Sequence, residues 1–171
     1  EKICVFIMLL PSGYGQSMAA FVAQNYGARR MDRANRALFY GILTSLCAGI
    51  VTGYTAFFHG DVLSSWFVTD AMVIDAAHSY LKAYAIDCIF TAFLFCFMGY
   101  YNGCGSTFFV MIQGIIGALG VRVPAVYIIS NLPDVTLFEI GLATPLSSIV
   151  QIILCIFMLI PLHRKMKLEV N

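Results

Sequence analysis

Residues 3 to 28 read ICVFIMLLPSGYGQSMAAFVAQNYGA, without one Asp, Glu, Lys or Arg. A helix lying against water over that length would carry a charged face, whereas a helix crossing the hydrocarbon core of a bilayer needs about 20 mostly apolar residues. Further apolar runs follow over about 35–58, 77–101, 107–130 and 135–162; the third carries Lys82 and Asp87 and the fourth Arg122. Asn102-Gly103-Cys104-Gly105-Ser106 and Asn131-Leu132-Pro133-Asp134 separate them as turn clusters. Strands of an outer-membrane barrel alternate apolar and polar residues over about ten positions. These runs are unbroken and twice that long. The predicted fold class is therefore all-α, a polytopic membrane helix bundle with about five transmembrane helices.

Composition agrees. Apolar residues make up 60% of the chain and charged residues 11%, and the mean hydropathy is +0.85. A soluble domain is about a quarter charged, so the polar surface missing here is replaced by membrane lipid, the first partner the chain implies. A net charge of +1 without a broad basic face gives no reason to expect nucleic acid. Cys4, Cys47, Cys88, Cys96, Cys104 and Cys155 stand singly, with no CxxC pair and no histidine at metal spacing. They read as small apolar packing residues. The opening Glu1-Lys2-Ile3 has no basic n-region or cleavage site, so it is not a signal peptide. It reads as the start of a piece of a longer polypeptide.

Lys and Arg placement predicts orientation. Arg29, Arg30, Arg33 and Arg36 follow the first helix, and Arg164, Lys165 and Lys167 follow the fifth. Both sites are predicted cytoplasmic. The connection between the second and third helices holds Asp61, Asp70 and Asp75 with no basic residue before Lys82, which suits the outside. The crossing numbers agree, with the N-terminus outside, the C-terminus inside and at least one helix expected upstream. Val62–Val68 in the outer connection suits a short interfacial helix, with Trp66 at headgroup depth.

Asp87 is the leading functional candidate. It lies some eight residues into the third helix, roughly 12 Å below its outer end. An acidic group there costs on the order of 2.5–3.5 kcal/mol without a partner, water or a proton. Such a carboxylate suits a coupling Na⁺ or H⁺; the structural alternative is an ion pair that fixes helix register. Arg122, at matched depth in the fourth helix, is the predicted partner for that pair. Helical spacing brings Tyr80, Tyr84, Phe90, Thr91, Leu94 and Met98 close to one face. That wall suits either plain packing or a cavity for flat organic cations. Gln113 is a second intramembrane polar group, set either to hydrogen-bond a neighbouring helix or to line an aqueous path. Small residues in the first and fourth helices, including Gly13, Gly15, Gly114, Gly117 and Gly120, predict close helix approach. Pro11, Pro124 and Pro145 predict kinks or local openings. His59, His78 and His163 are expected to be solvated. No GxSxG, P-loop, HExxH or dinucleotide fingerprint occurs, and no cofactor is implied, so the chain does not read as an enzyme.

Phe21-Val22-Ala23-Gln24-Asn25-Tyr26-Gly27-Ala28-Arg29, followed by Arg33-Ala34, resembles the signature of the multidrug and toxic compound extrusion (MATE) family, in which a helix ends in such a stretch before a cytoplasmic loop. Met98-Gly99-Tyr100-Tyr101-Asn102-Gly103-Cys104-Gly105-Ser106-Thr107 resembles the family's later inner turn, and Val121-Arg122-Val123-Pro124 a segment of the next helix. The resemblance covers nearly the whole chain in order and spacing. It implies twelve helices in two pseudo-symmetric six-helix lobes. The cavity between them alternates access, exporting cationic, lipophilic compounds in exchange for Na⁺ or H⁺. This chain would then be the second lobe without its first helix, and the missing N-terminal lobe would be its partner. Asp87 falls where many members carry an acidic cation-site residue on the tenth helix. An acidic partner on the seventh helix would lie outside these residues. Ala83, one turn before Asp87, offers no phenol ligand, so Tyr84 or Tyr80 would substitute, and both ions stay open.

The implied function is a cation-coupled antiporter in the plasma membrane. A related transporter of lipid-linked or polysaccharide substrates is the nearest alternative, and a broad basic cavity would favour it. A non-transporting membrane scaffold subunit is the other. A second Gln-x-x-Gly-Ala-basic pattern one lobe upstream would separate a transporter from that scaffold.

Overall fold

The computed structural model describes residues 2–67, 70–133 and 135–170, with the backbone alone for Lys2 and residues 163–170. Val68, Asp134 and the side chains of His163, Arg164, Lys165 and Lys167 lie outside this description. The described chain is all-α, with helices α1 (Lys2–Gly27), α2 (Met31–Phe58), α3 (Gly60–Ser65), α4 (Ala71–Gly103) and α5 (Thr107–Ile115). A π-helical segment, Ile116–Arg122, leads into α6 (Val123–Ser130), followed by α7 (Leu137–Gly141) and α8 (Ala143–Val170). Five stretches are long and apolar enough to cross a membrane: Ile3–Gly27, Met31–Phe58, Ala71–Gly103, Thr107–Ser130 and Leu137–Leu162.

The ends of these helices depart from the sequence expectation for local reasons. α4 starts at Ala71, well ahead of residue 77, because Asp70 caps it by accepting a hydrogen bond from the Met72 amide at 2.9 Å. Asp75 and His78 therefore ride on a helix rather than in a loop. At 33 residues, α4 is about 50 Å long, more than the ~30 Å hydrocarbon core, so it reaches into the headgroup region. Asp87 sits midway between its ends. His78 is half-buried rather than solvated, with its Nδ1 4.0 Å from Asp61 Oδ1. The short helix expected within Val62–Val68 is α3, which begins at Gly60 and stops before an exposed Trp66. The fifth span is broken after Gly141 and continues helically to Val170 rather than ending before His163. Pro145 does not kink α8, since it lies in the first turn, where backbone amides lack helical acceptors anyway. α1 stays continuous through Pro11.

α4 is the axis of the bundle. Of its most apolar stretch 61% is buried, against 11–28% for the other spans, and it packs against α1, α2, α3, α5, α7 and α8. Glycines allow this closeness. A Cβ on Gly49 or Gly53 of α2 would lie 2.9 Å from the Cys88 or Ala85 carbonyl oxygen of α4. A Cβ on Gly103 would lie 2.6 Å from Val22 Cβ of α1, and one on Gly99 would strike the Gly15 carbonyl. Gly49–Gly53 of α2 and Gly99–Gly103 of α4 are thus two GxxxG contacts, the first seating α2 against α4 and the second seating α1 against it. Of the glycines expected to pack closely, Gly15 and Gly117 do so, whereas Gly13 and Gly114 have no atom within 4 Å of an added Cβ.

Two apolar clusters result. One, at the end near α3, gathers Ile3, Ile7, Ala56, Leu81, Tyr84 and Cys88. The other, toward the α1–α2 turn, includes Val22, Leu38, Phe97, Tyr100, Tyr101 and Cys155. Polar ties reinforce the second: Tyr100 Oη donates to Asn35 Oδ1 at 2.6 Å, Ser45 Oγ to the Ala92 carbonyl at 3.0 Å, and Tyr101 Oη to the Cys155 carbonyl. Cys47, Cys88, Cys96, Cys104 and Cys155 are free thiols.

Candidate functional site: a polar layer inside the membrane

Between the two apolar clusters α4 carries Asp87, 1% exposed, and one turn later Thr91, 2% exposed. Opposite them α8 turns a polar face inward. Thr144, Ser147 and Ser148 are buried and Gln151 half-buried, and their spacing of three, four and seven residues lays them along one stripe. A helix in lipid gains by hiding such a stripe against its neighbours, so the apolar faces of α8 turn outward. The third contributor is the π-helical segment. Wider winding frees backbone carbonyls from their α-helical donors, and Ser147 Oγ donates to the Gly117 carbonyl at 2.7 Å. Gln151 Nε2 donates in turn to Ser147 Oγ at 3.2 Å, and its side chain fills the notch over Gly117 where any Cβ would collide.

The Thr91 and Ser148 hydroxyls approach the Asp87 carboxyl, and the Arg122 guanidinium acts on it from further off. Approach is not closure here: Asp87 Oδ1 and Thr91 Oγ1 complete no hydrogen bond. Two sealed oxygens with unused lone pairs one helical turn apart suit a hard cation or a proton. Among the described residues no group of three or more His, Cys, Asp or Glu is assembled.

The expected direct Asp87–Arg122 ion pair does not form; among the described residues the contact within 4.0 Å is His78–Asp61. Arg122 closes the π-helical segment and is exposed, while Asp87 is sealed. An extra residue per turn rotates the succeeding side chains by about 100° relative to a straight α-helix, which matched depth alone ignores. Tyr84 is 4% exposed and stacks on Tyr80, with ring centroids 6.4 Å apart. Tyr84 also lies within electrostatic range of Asp87. Tyr80 borders a separate cavity of about 270 Å³ with Ile3, Cys4, Val73 and Leu137. Met98 is not brought to Asp87. It lines a groove of about 200 Å³ between α1 and α4 with Ser12, Gln16, Phe95 and Asn102. Gln113 is 1% exposed with both amide atoms unpartnered, so it makes no interhelical hydrogen bond.

The Ser147–Gly117 bond is directly testable. Ser147→Ala strands the Gly117 carbonyl and removes the acceptor for Gln151. The expected loss is about 0.6 kcal/mol, the average for interhelical hydrogen bonds in membranes, and at most about 1.7 kcal/mol, read as a lower unfolding midpoint in mixed micelles. A midpoint at or above that of the unsubstituted protein would show that the bond does not hold the π-helical segment.

Long apolar helices, one of them sealing a carboxylate at its midpoint, define a polytopic membrane protein. The MatE family model matches residues 2–128, from α1 into α6, and the chain belongs to this MATE family of membrane efflux transporters. No curated protein and no solved structure matches the chain.

Proposed function

We propose that this chain is one lobe of a cation-coupled antiporter, the second of two, which exports cationic, lipophilic compounds in exchange for Na⁺ or H⁺ by alternating access. The observation that carries this reading is Asp87, sealed at the middle of the central helix with Oδ1 unpartnered. A carboxylate held there permanently as a bare anion is costly; one that takes up and releases a cation is stabilised in each loaded state and forced to exchange between them. Thr91 and Ser148 supply the neighbouring hydroxyls, and Tyr84 and Tyr80 an aromatic flank. The arginines of the α1–α2 turn favour a plasma-membrane orientation with that turn and the C-terminus in the cytoplasm. Transport needs both lobes, since the cavity lies between them.

The test is efflux by the full-length protein reconstituted in vesicles, with Na⁺ and pH gradients imposed separately. One gradient is expected to drive uphill movement of an ethidium-type cation, and collapsing it to stop that movement. Equal efflux with neither gradient present would remove ion coupling.

A further inference from the structure

The turn between α1 and α2 presents Arg29, Arg30, Arg33 and Arg36, all exposed. None of them forms an ion pair among the described residues, and Asp32 is the one carboxylate interspersed. The backbone holds this cluster firmly. The Arg29 amide donates to the Tyr26 carbonyl at 3.0 Å and the Arg30 amide to the Asn25 carbonyl at 2.8 Å, the paired bonds of a Schellman cap. Arg29 occupies the left-handed position of that cap, with φ 56°, where glycine is ordinarily favoured. Directly along α2, one turn from Arg36, Phe39 and Tyr40 are exposed in edge-to-face contact, with Leu43 beyond them. Cationic forks at the end of a membrane-crossing helix, above an apolar wall on the same helix, match one ligand chemistry in two parts: a phosphate diester with acyl chains attached.

We propose that the α1–α2 turn is a binding site for an anionic glycerophospholipid, its phosphate held by Arg33 and Arg36 with Arg29 and Arg30 flanking, and an acyl chain lying on Phe39 and Tyr40. Four guanidinium charges facing one carboxylate give the charge complementarity, and guanidinium forks suit phosphate oxygens bidentately. Juxtamembrane basic clusters attract anionic headgroups generally; the fixed cap and the adjoining aromatic wall add a preference for an intact lipid over a free phosphate. This site is independent of Asp87 and of any transported compound.

The full-length protein in detergent micelles doped with dioleoyl phosphatidylglycerol tests it, with lipid adducts counted by native mass spectrometry. Dioleoyl phosphatidylcholine and free glycerol phosphate serve as comparison ligands. Phosphatidylglycerol is expected to bind at least tenfold more tightly than either. Arg33→Gln/Arg36→Gln is expected to lower that affinity about tenfold, and Lys82→Gln, remote from the turn, to leave it unchanged. Arg33→Lys/Arg36→Lys, which keeps the charge without the planar fork, should fall between. Equal binding of phosphatidylcholine would reduce the site to an unspecific apolar face, and full competition by glycerol phosphate would make it a soluble-anion site; either overturns the assignment. So does unchanged affinity in the Gln variant. Should that variant fail to fold, the three-ligand comparison on the unsubstituted protein decides.

Discussion

Asp87→Asn in the full-length transporter is expected to reduce ion-driven efflux at least tenfold, to the level of vesicles without the protein, while membrane expression stays intact. The two side chains are nearly isosteric, and the Asn amide can still meet the Thr91 and Ser148 hydroxyls that surround the carboxyl. Folding should survive, because an uncharged amide at mid-helix is less costly than a bare carboxylate there. The neutral amide, however, takes up no proton and attracts no Na⁺, so under the proposed mechanism ion movement loses its link to the lobe's rearrangement. Everted vesicles, an ethidium-type substrate and an immunoblot for protein level make the measurement. Asp87→Glu, which keeps the charge but lengthens the arm, should retain part of the activity. Efflux by the Asn variant at the unsubstituted rate, with equal protein, would remove Asp87 from the mechanism and leave it a structural residue.

The spans and this carboxylate were legible because both are compositional. Lipid excludes charge so strongly that five long apolar runs with few charges, and the acid inside one of them, stand out without any knowledge of packing. The features that stayed hidden depend on neighbours. Thr144, Ser147, Ser148 and Gln151 repeat at helical spacing, so the α8 stripe was readable in principle. Ser and Thr are common enough in apolar helices that the stripe acquires meaning only when α4 and the π-helical segment face it. The start of α4 was misplaced because Asp75 and His78 resemble loop residues, although Asp70 is a good helix cap. The π winding leaves no local mark beyond Gly117 and Gly120, and it separates Arg122 from Asp87. Two residues at one depth can therefore lie on different faces.

The second large effect expected concerns the contact between α4 and α1, where Gly99→Ala should destabilise the fold by about 1–3 kcal/mol, the usual cost of overpacking. An added Cβ there meets the Gly15 carbonyl and lies 2.9 Å from Met18 Cβ. A backbone oxygen cannot swing aside as a flexible side chain can, so α1 as a whole must retreat. Retreat loosens the neighbouring contact, where Gly103 abuts Val22 and the Ala19 carbonyl. Gly99→Ala and Gly103→Ala should consequently combine non-additively, since one displacement of α1 relieves both clashes. Gly114→Ala is the internal control: its Cβ meets nothing within 4 Å, and alanine's better helix propensity, worth up to about 1 kcal/mol, makes it neutral or stabilising. Unfolding midpoints in mixed micelles compare the variants. At roughly 2–4 °C per kcal/mol for a chain of this size, Gly99→Ala should fall several degrees below the unsubstituted protein while Gly114→Ala does not. If the order were reversed, close approach of α1 to α4 would not be what seats the central helix, and the burial of Asp87 would need another origin.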